Sequence, residues 1–118
     1  MMRDVVDATL AVASRYNLTE YVILECEFSS VLSYAEQKNS SVITMLNTYG
    51  NYEKGKQQAL KKKLDGISFK YRMKDELTRE KTDELHRNGL RLLVWNVPVS
   101  SDIALLTSFN VDFVIMDY

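Results

Sequence analysis

The sequence predicts an α/β fold, a partial TIM-barrel-like (βα) array of about five parallel strands alternating with helices. Three observations carry this. Five short runs rich in Val, Ile, Leu, Phe and Tyr recur along the 118 residues, at 21–28, 42–47, 66–71, 91–97 and 112–118. Several of them are nearly continuous in apolar character, as strands covered on both faces are. Their starts lie 21, 24, 25 and 21 residues apart, with a helical segment in each gap. That alternation is the signature of βα units and right-handed crossovers in a parallel sheet.

The elements follow in chain order. Residues 4–16 place Val5, Val6, Leu10 and Ala13 on one helical stripe. Asn17 ends this helix, since Asn is second only to Gly in a left-handed C-terminal turn. The first strand follows, then a helix over 30–37 that Ser29 or Ser30 caps. After the second strand, a helix over 54–64 sets Ala59, Leu60 and Leu64 between lysines. A helix over 79–87 has Thr78 as N-cap, Glu80 in its first turn and Gly89 as its stop. The last helix spans 102–109, with Ser100 or Ser101 as cap, Asp102 facing the helix dipole and Asn110 as terminator. Pro98, the only proline, follows the fourth strand.

Composition bounds the function. The length fits one domain, residues 1–118. Hydrophobic residues make up 46% and charged residues 26%, so a packed core is expected rather than disorder. Lys+Arg (15) nearly balances Asp+Glu (16), which argues against a nucleic-acid partner. Residues 51–65 carry five lysines against Glu53 and Asp65, yet no aromatics interleave Lys61–Lys63, and a solvated helix face is the expectation. No apolar run is long enough to span a membrane. No secretory signal is read at the start, so a cytoplasmic location is expected by default. Cys26 is the only cysteine, which excludes an internal disulfide and a thiolate zinc cluster, and a buried inert thiol is expected. The four glycines form no phosphate-cradling loop.

In a parallel α/β sheet, chemistry gathers at the carboxyl ends of the strands. Those ends carry Glu25, Glu27, Phe28, Asn47, Thr48, Ser68, Lys70, Trp95, Asn96 and Asp117. Alternation sets Glu25 and Glu27 on one face, where they are candidates for a divalent cation or for a polar plug salt-bridged to Lys70 or Arg91. Trp95 shares a face with Arg91 and Leu93 and is a candidate apolar pocket wall, or plain core. Lys70 is the candidate anion contact, or a snorkelling lysine. Asp117 is expected to cap or brace a neighbouring loop rather than to act in catalysis. His86, the only histidine, falls on a helix outside the sheet, where a surface role is expected.

The stretch LTREKTDELHRNGLRLLVWNVPVSSDIALLTSFNVDFVIMDY resembles the C-terminal end of the glycerophosphodiester phosphodiesterases. In that family a helix and a Gly lead into a strand of the form VWTVN, and a later strand reads G-V-D-G-I-x-T-D. Gly89, Val94, Trp95 and Val97 match the first part, with Asn96 and Pro98 replacing Thr and Asn. Val111, Asp112, Ile115 and Asp117 match the second, with Asn110, Phe113 and Met116 replacing Gly, Gly and Thr. Upstream, ECEFSSVLSYAEQKNSSVITML is similar to the family's strand ending in Ser-Phe, its helix and its next strand, with Phe28 and Leu46 matching and Glu27 in place of Ser.

The resemblance implies a metal-dependent phosphodiesterase barrel of which this chain is the last five strands. The family's catalytic parts are a His-Arg-Gly strand end, a Glu-x-Asp strand end, a second His-Asp and a Glu-x-Lys strand. None has a counterpart here. A divalent cation (Mg²⁺ or Ca²⁺) is implied for complete members, while this chain is expected to hold no cofactor and no catalytic residue. Phe28 and Trp95 carry over as pocket walls. Five strands cannot close so narrow a barrel, so an open apolar inner face and two open edges are expected. A homo-oligomer or a complementary barrel half would cover them.

Overall fold

Hydrophobic spacing sets five helices against one side of a five-stranded sheet in the computed structural model, which describes residues 2–49, 51–71, 77–98 and 103–117. The order is α1 (Met2–Arg15), a 3₁₀ turn (Thr19–Tyr21), β1 (Ile23–Cys26), α2 (Ser29–Lys38), β2 (Ile43–Asn47), α3 (Tyr52–Lys61), β3 (Gly66–Lys70), α4 (Arg79–Arg87), β4 (Arg91–Pro98), α5 (Ile103–Ser108) and β5 (Phe113–Asp117). The strands lie in sequence order and every pairing is parallel, as the alternation predicts.

Four helices end alike. Asn17, Lys63, Gly89 and Asn110 adopt left-handed backbone, with φ of 57°, 57°, 76° and 60°. The next residue in each case is apolar and sends its N–H back into the helix: Leu18 to Ala13, Leu64 to Ala59, Leu90 to Leu85, Val111 to Leu106. This six-to-one bond closes the helix and turns the chain into the next strand. Lys63 is the unexpected member, and its Cβ makes this turn costlier than Gly would by about 1 kcal/mol. It also shortens α3 relative to the expected 54–64. At the other end Asn51 caps that helix by accepting the Lys54 N–H (3.2 Å).

Thr78 caps α4 as expected, accepting from the Lys81 N–H at 3.1 Å. Ser29 and Ser30 do not cap α2. The cap position is Phe28, whose carbonyl accepts from Val31 and Leu32, and no side chain takes part. The expected caps Ser100, Ser101 and Asp102 lie outside the described residues. In α1 the buried residues are Val6, Leu10 and Ala13, while Val5 is 61% exposed. The first strand is shorter than expected because Tyr21 belongs to the 3₁₀ turn.

The core lies between sheet and helices. Ile67 and Phe69 of β3 and Leu92, Val94 and Val97 of β4 pack against Leu32, Tyr52, Ala59, Leu85 and Leu106 from the helices. A smaller cluster joins Val6 and Leu10 of α1 to Ala35 and Val42. Strand β4 keeps its apolar residues on this side by means of a bulge. The register with β5 slips between Val94 and Val97, where Asn96 has a φ of 62°. The slip leaves Trp95 inward, returns Val97 to the core and carries the strand through Pro98, past its expected end.

The inner face departs from expectation. Its central side chains are not open: Met45 and Ser68 are 0% and Leu93 1% exposed. Openness is confined to the edges, where Tyr21 and Ile23 flank β1 and Val114 and Ile115 lie on β5.

An aspartate stands just before β3 and another just before β5, and each pins the strand behind it. Asp65 Oδ2 accepts the Thr44 N–H at 2.8 Å, and Asp112 Oδ2 accepts the Leu92 N–H at 2.8 Å. Each is also reached from a helix. The Thr44 hydroxyl links Asp65 to Glu36 of α2 (2.7 Å to Oε1), and His86 Nε2 of α4 lies 2.8 Å from Asp112 Oδ2. Burial, and then the neighbouring Asp65 carboxyl, push the Glu36 carboxyl up to about 7.

A carboxyl with a higher pKa folded than unfolded keeps its proton between about pH 4.5 and 7 while the unfolded chain has released its own. Stability therefore falls as pH rises through that window. Thermal melts at pH 5 and pH 8 check this. Glu36→Gln is expected to flatten the dependence and to raise the melting temperature at pH 8.

Candidate functional site

The carboxyl ends of β1 to β4 converge on one rim. Sheet register places Asn47 beside Ser68, and Lys70 beside Trp95. Lys70 Nζ lies 5.2 Å from the centroid of the Trp95 ring, so cation and aromatic wall form one unit. Trp95 is half-buried, and its Nε1 is buried with no hydrogen-bond partner. The Ser68 hydroxyl is likewise buried and unpaired. Two orphaned polar groups on one concave surface are the chemistry of a site that an acceptor group would complete.

Glu25 is half-buried at the end of β1. Burial is the main cause that pushes its carboxyl up. The expected salt-bridged plug is not what forms. Lys70 sits over Trp95, and the Arg91 guanidinium sits 5.9 Å from the Phe113 ring centroid. Glu27 lies past the end of β1 and is exposed. Its carboxylate faces the Tyr49 hydroxyl and holds that phenol above its ordinary range. The two carboxylates thus turn to different neighbours. Among the described residues no three His, Cys, Asp or Glu side chains gather as a cation cage. Among the described residues the donor set does not fit a divalent cation.

Beside the rim is a cleft of about 440 Å³, which the sequence did not disclose. Phe28, 50% exposed, and Leu46 form its apolar side. Asn47, Thr48, Lys54 and Gln58 form its polar side. Gly55 brings α3 this close to the β2–α3 connection, because a Cβ there would lie 2.0 Å from Thr48 Cγ2. Thr48 in turn ties the connection to β3, its hydroxyl donating to the Ser68 carbonyl at 3.2 Å.

The remaining expected residues fall elsewhere. His86 binds Asp112 on the opposite side of the sheet, in a structural role. Cys26 is half-buried, its thiol donates to the Phe28 carbonyl, and burial pushes it up, away from reactivity. The Asp117 side chain lies outside the described residues. No helix among the described residues is long and apolar enough to cross a membrane.

Comparison with known proteins places the fold. No family model matches the sequence and no curated protein matches it. Among solved structures, one assigned as a glycerophosphoryl diester phosphodiesterase from Silicibacter pomeroyi DSS-3 is similar over 99% of this chain, with a TM-score of 0.78 and 20% identity. A glycerophosphodiester phosphodiesterase from Parabacteroides distasonis is similar over 98%, with a TM-score of 0.75 and 15% identity. Another assigned to that activity, from Galdieria sulphuraria, is similar over 96%, with a TM-score of 0.72 and 19% identity. This chain covers 41%, 47% and 46% of those chains, respectively, less than half of each. The shared feature is the fold, a half-barrel of parallel βα units.

Because the Ser68 hydroxyl is buried without a partner, removing it lifts a desolvation cost. Ser68→Ala is expected to leave stability unchanged or to raise it by up to about 1 kcal/mol in urea unfolding.

Proposed function

We propose that this chain is the C-terminal part of a glycerophosphodiester phosphodiesterase-like barrel, forming the substrate side of the site and supplying no catalytic group. The observation that carries this reading is the match of the whole chain to under half of proteins assigned to that activity. The order and spacing of Val94, Trp95 and Val97, then Val111, Asp112, Ile115 and Asp117, support the same family.

Lys70 over Trp95, beside two unpaired buried polar groups, suits an anionic ester. Phe28 and Trp95 suit the apolar flank of its alcohol part. Among the described residues no three His, Cys, Asp or Glu side chains gather to hold the cation of complete members. A second reading, a non-catalytic assembly module, is favoured by the two open edges of the sheet.

Trp95 is the only tryptophan, so its fluorescence reports on the rim directly. Titration with glycerol 3-phosphate and with glycerophosphocholine is expected to change it saturably. Lys70→Ala is expected to weaken the anionic ligand roughly tenfold. With Mg²⁺ or Ca²⁺ the purified chain is expected not to hydrolyse glycerophosphocholine. Emission unmoved by ligand up to about 10 mM would overturn the binding role. Hydrolysis abolished by a substitution in this chain would overturn the non-catalytic one.

A further inference from the structure

A run of lysines at the end of a helix is ordinarily a solvated face, and the sequence predicts one at Lys61–Lys63. The fold instead turns the run toward α2. A hollow of about 350 Å³ opens between Ser33, Glu36 and Gln37 of α2 and Lys61, Lys62 and Lys63. A second hollow, of about 220 Å³, adds Arg3, Ser30 and Tyr34. Ser33, Gln37 and Lys62 line both, so the two form one groove. Helices α2 and α3 both pack on β2, a strand paired on each side. The groove therefore lies between complete βα units and away from the two sheet edges.

Three features set these lysines apart. Lys56, on the same helix, is ion-paired with both Glu53 and Glu84. Among the described residues Lys61, Lys62 and Lys63 have no such carboxylate. The facing wall is the second feature. Ser30, Ser33 and Gln37 stand three and four residues apart, on one stripe of α2, and are uncharged groups that can hydrogen-bond an anion without neutralising the cations. Glu36, the one acid on the lining, has its Oε1 held by the Thr44 hydroxyl at 2.7 Å, and burial and Asp65 push its carboxyl up to about 7, so it offsets the lysines only in part. The third feature is backbone. The dipole of α3 rewards Lys61 in its last turn, but Lys63 lies beyond it in left-handed conformation, φ 57°, where the three equivalent turns place Asn, Gly and Asn. A strained residue kept where Gly would relax it points to a role for its side chain.

We propose that the α2–α3 groove binds a small ligand carrying two or more phosphate groups, held by Lys61, Lys62 and Lys63 on one wall, by Ser33 and Gln37 on the other, and by Arg3 at its end. Shape and lining select this class. A concave space of this size takes a small molecule. Tyr34 is the one ring on the lining, and it is engaged by Arg3 at 4.8 Å and Lys38 at 5.4 Å from its centroid, with its hydroxyl donating to Asp7 at 2.7 Å. It is not free to stack a base, as single-stranded nucleic acid requires. The lining offers no aliphatic side chain to enter a membrane. The groove is on the helix side of the sheet and Lys70 is on the carboxyl rim, so the proposal does not rest on the phosphodiesterase reading.

Titration of the full chain with inorganic tripolyphosphate in low salt, followed by amide NMR, tests it. Saturable shifts are expected at Ser33, Gln37 and Lys61–Lys63, which separates this groove from the Lys70 rim. Lys62→Ala is expected to weaken binding about fivefold. Arg15→Ala removes the same charge at the other end of α1 from Arg3 and is expected to leave affinity within about twofold. Lys63→Gly is the decisive variant. It relaxes the left-handed turn, so it is expected to raise the melting temperature while weakening binding, a pairing that a purely structural lysine would not show. Shifts that do not saturate by about 10 mM would overturn the proposal. So would equal losses in Lys62→Ala and Arg15→Ala, or a Lys63→Gly protein that binds as well as the parent. An oligo-aspartate peptide or an anionic vesicle that binds more tightly than tripolyphosphate would also overturn it, by giving the groove to a macromolecule or a membrane surface.

Discussion

A parallel strand needs a neighbour on each side and a cover on each face, and this chain supplies both only to its three central strands. β2, β3 and β4 are paired twice and covered by helices, while β1 and β5 each have one partner among the described residues. Much else follows from that inequality. Many of the deepest side chains, among them Ile67, Phe69, Leu92, Leu93 and Val94, come from β3 and β4. The exposed Tyr21, Ile23, Val114 and Ile115 collect at the two edges. On the inner face the middle is buried, at Met45, Ser68 and Leu93, while Ile23 and Ile115 at the ends are exposed.

The sheet divides its labour between its two rims. On the amino-terminal rim, polar groups serve register. Asp65 and Asp112 occupy corresponding places two βα units apart, each holding a backbone N–H of the preceding strand and each approached by a titratable side chain from a helix. These groups satisfy one another, as buried polar groups in a stable fold do. On the carboxyl rim they do not. Ser68 Oγ and Trp95 Nε1 are buried and unpaired, Lys70 leans on a ring, and the Glu25 carboxyl is raised mainly by burial. Unsatisfied chemistry on one rim and closed networks on the other is what a fold with its site at the strand ends requires.

The sequence made the alternation legible because burial on both faces writes an unbroken apolar run, and because Asn17, Gly89 and Asn110 are residues that left-handed turns favour. Lys63 makes the same turn without the residue type that announces it, so α3 ends before the position its apolar spacing predicts. The bulge in β4 was hidden for a related reason. Asn96 in a strand reads as a polar rim residue, whereas its positive φ re-aims Val97 and extends the strand past Pro98. Trp95 and Lys70 were singled out separately from strand alternation, but only register across β3 and β4 brings them together. The cleft beside Phe28 depends on the close approach of Gly55 to Thr48, which no periodicity records. The strand-pinning role of Asp65 and Asp112 is silent in the sequence, since a carboxylate that accepts a neighbouring strand's N–H has no local pattern.

The central claim is that the chain is a half-barrel whose outer strands lack the second neighbour its inner strands possess. Amide hydrogen exchange, followed strand by strand in dilute solution, tests this most directly. The account predicts that amides on the free sides of β1 and β5 exchange orders of magnitude faster than those of β3. Edge amides as protected as those of β3 at the lowest concentration would contradict it, for the sheet would then already be closed within a single chain.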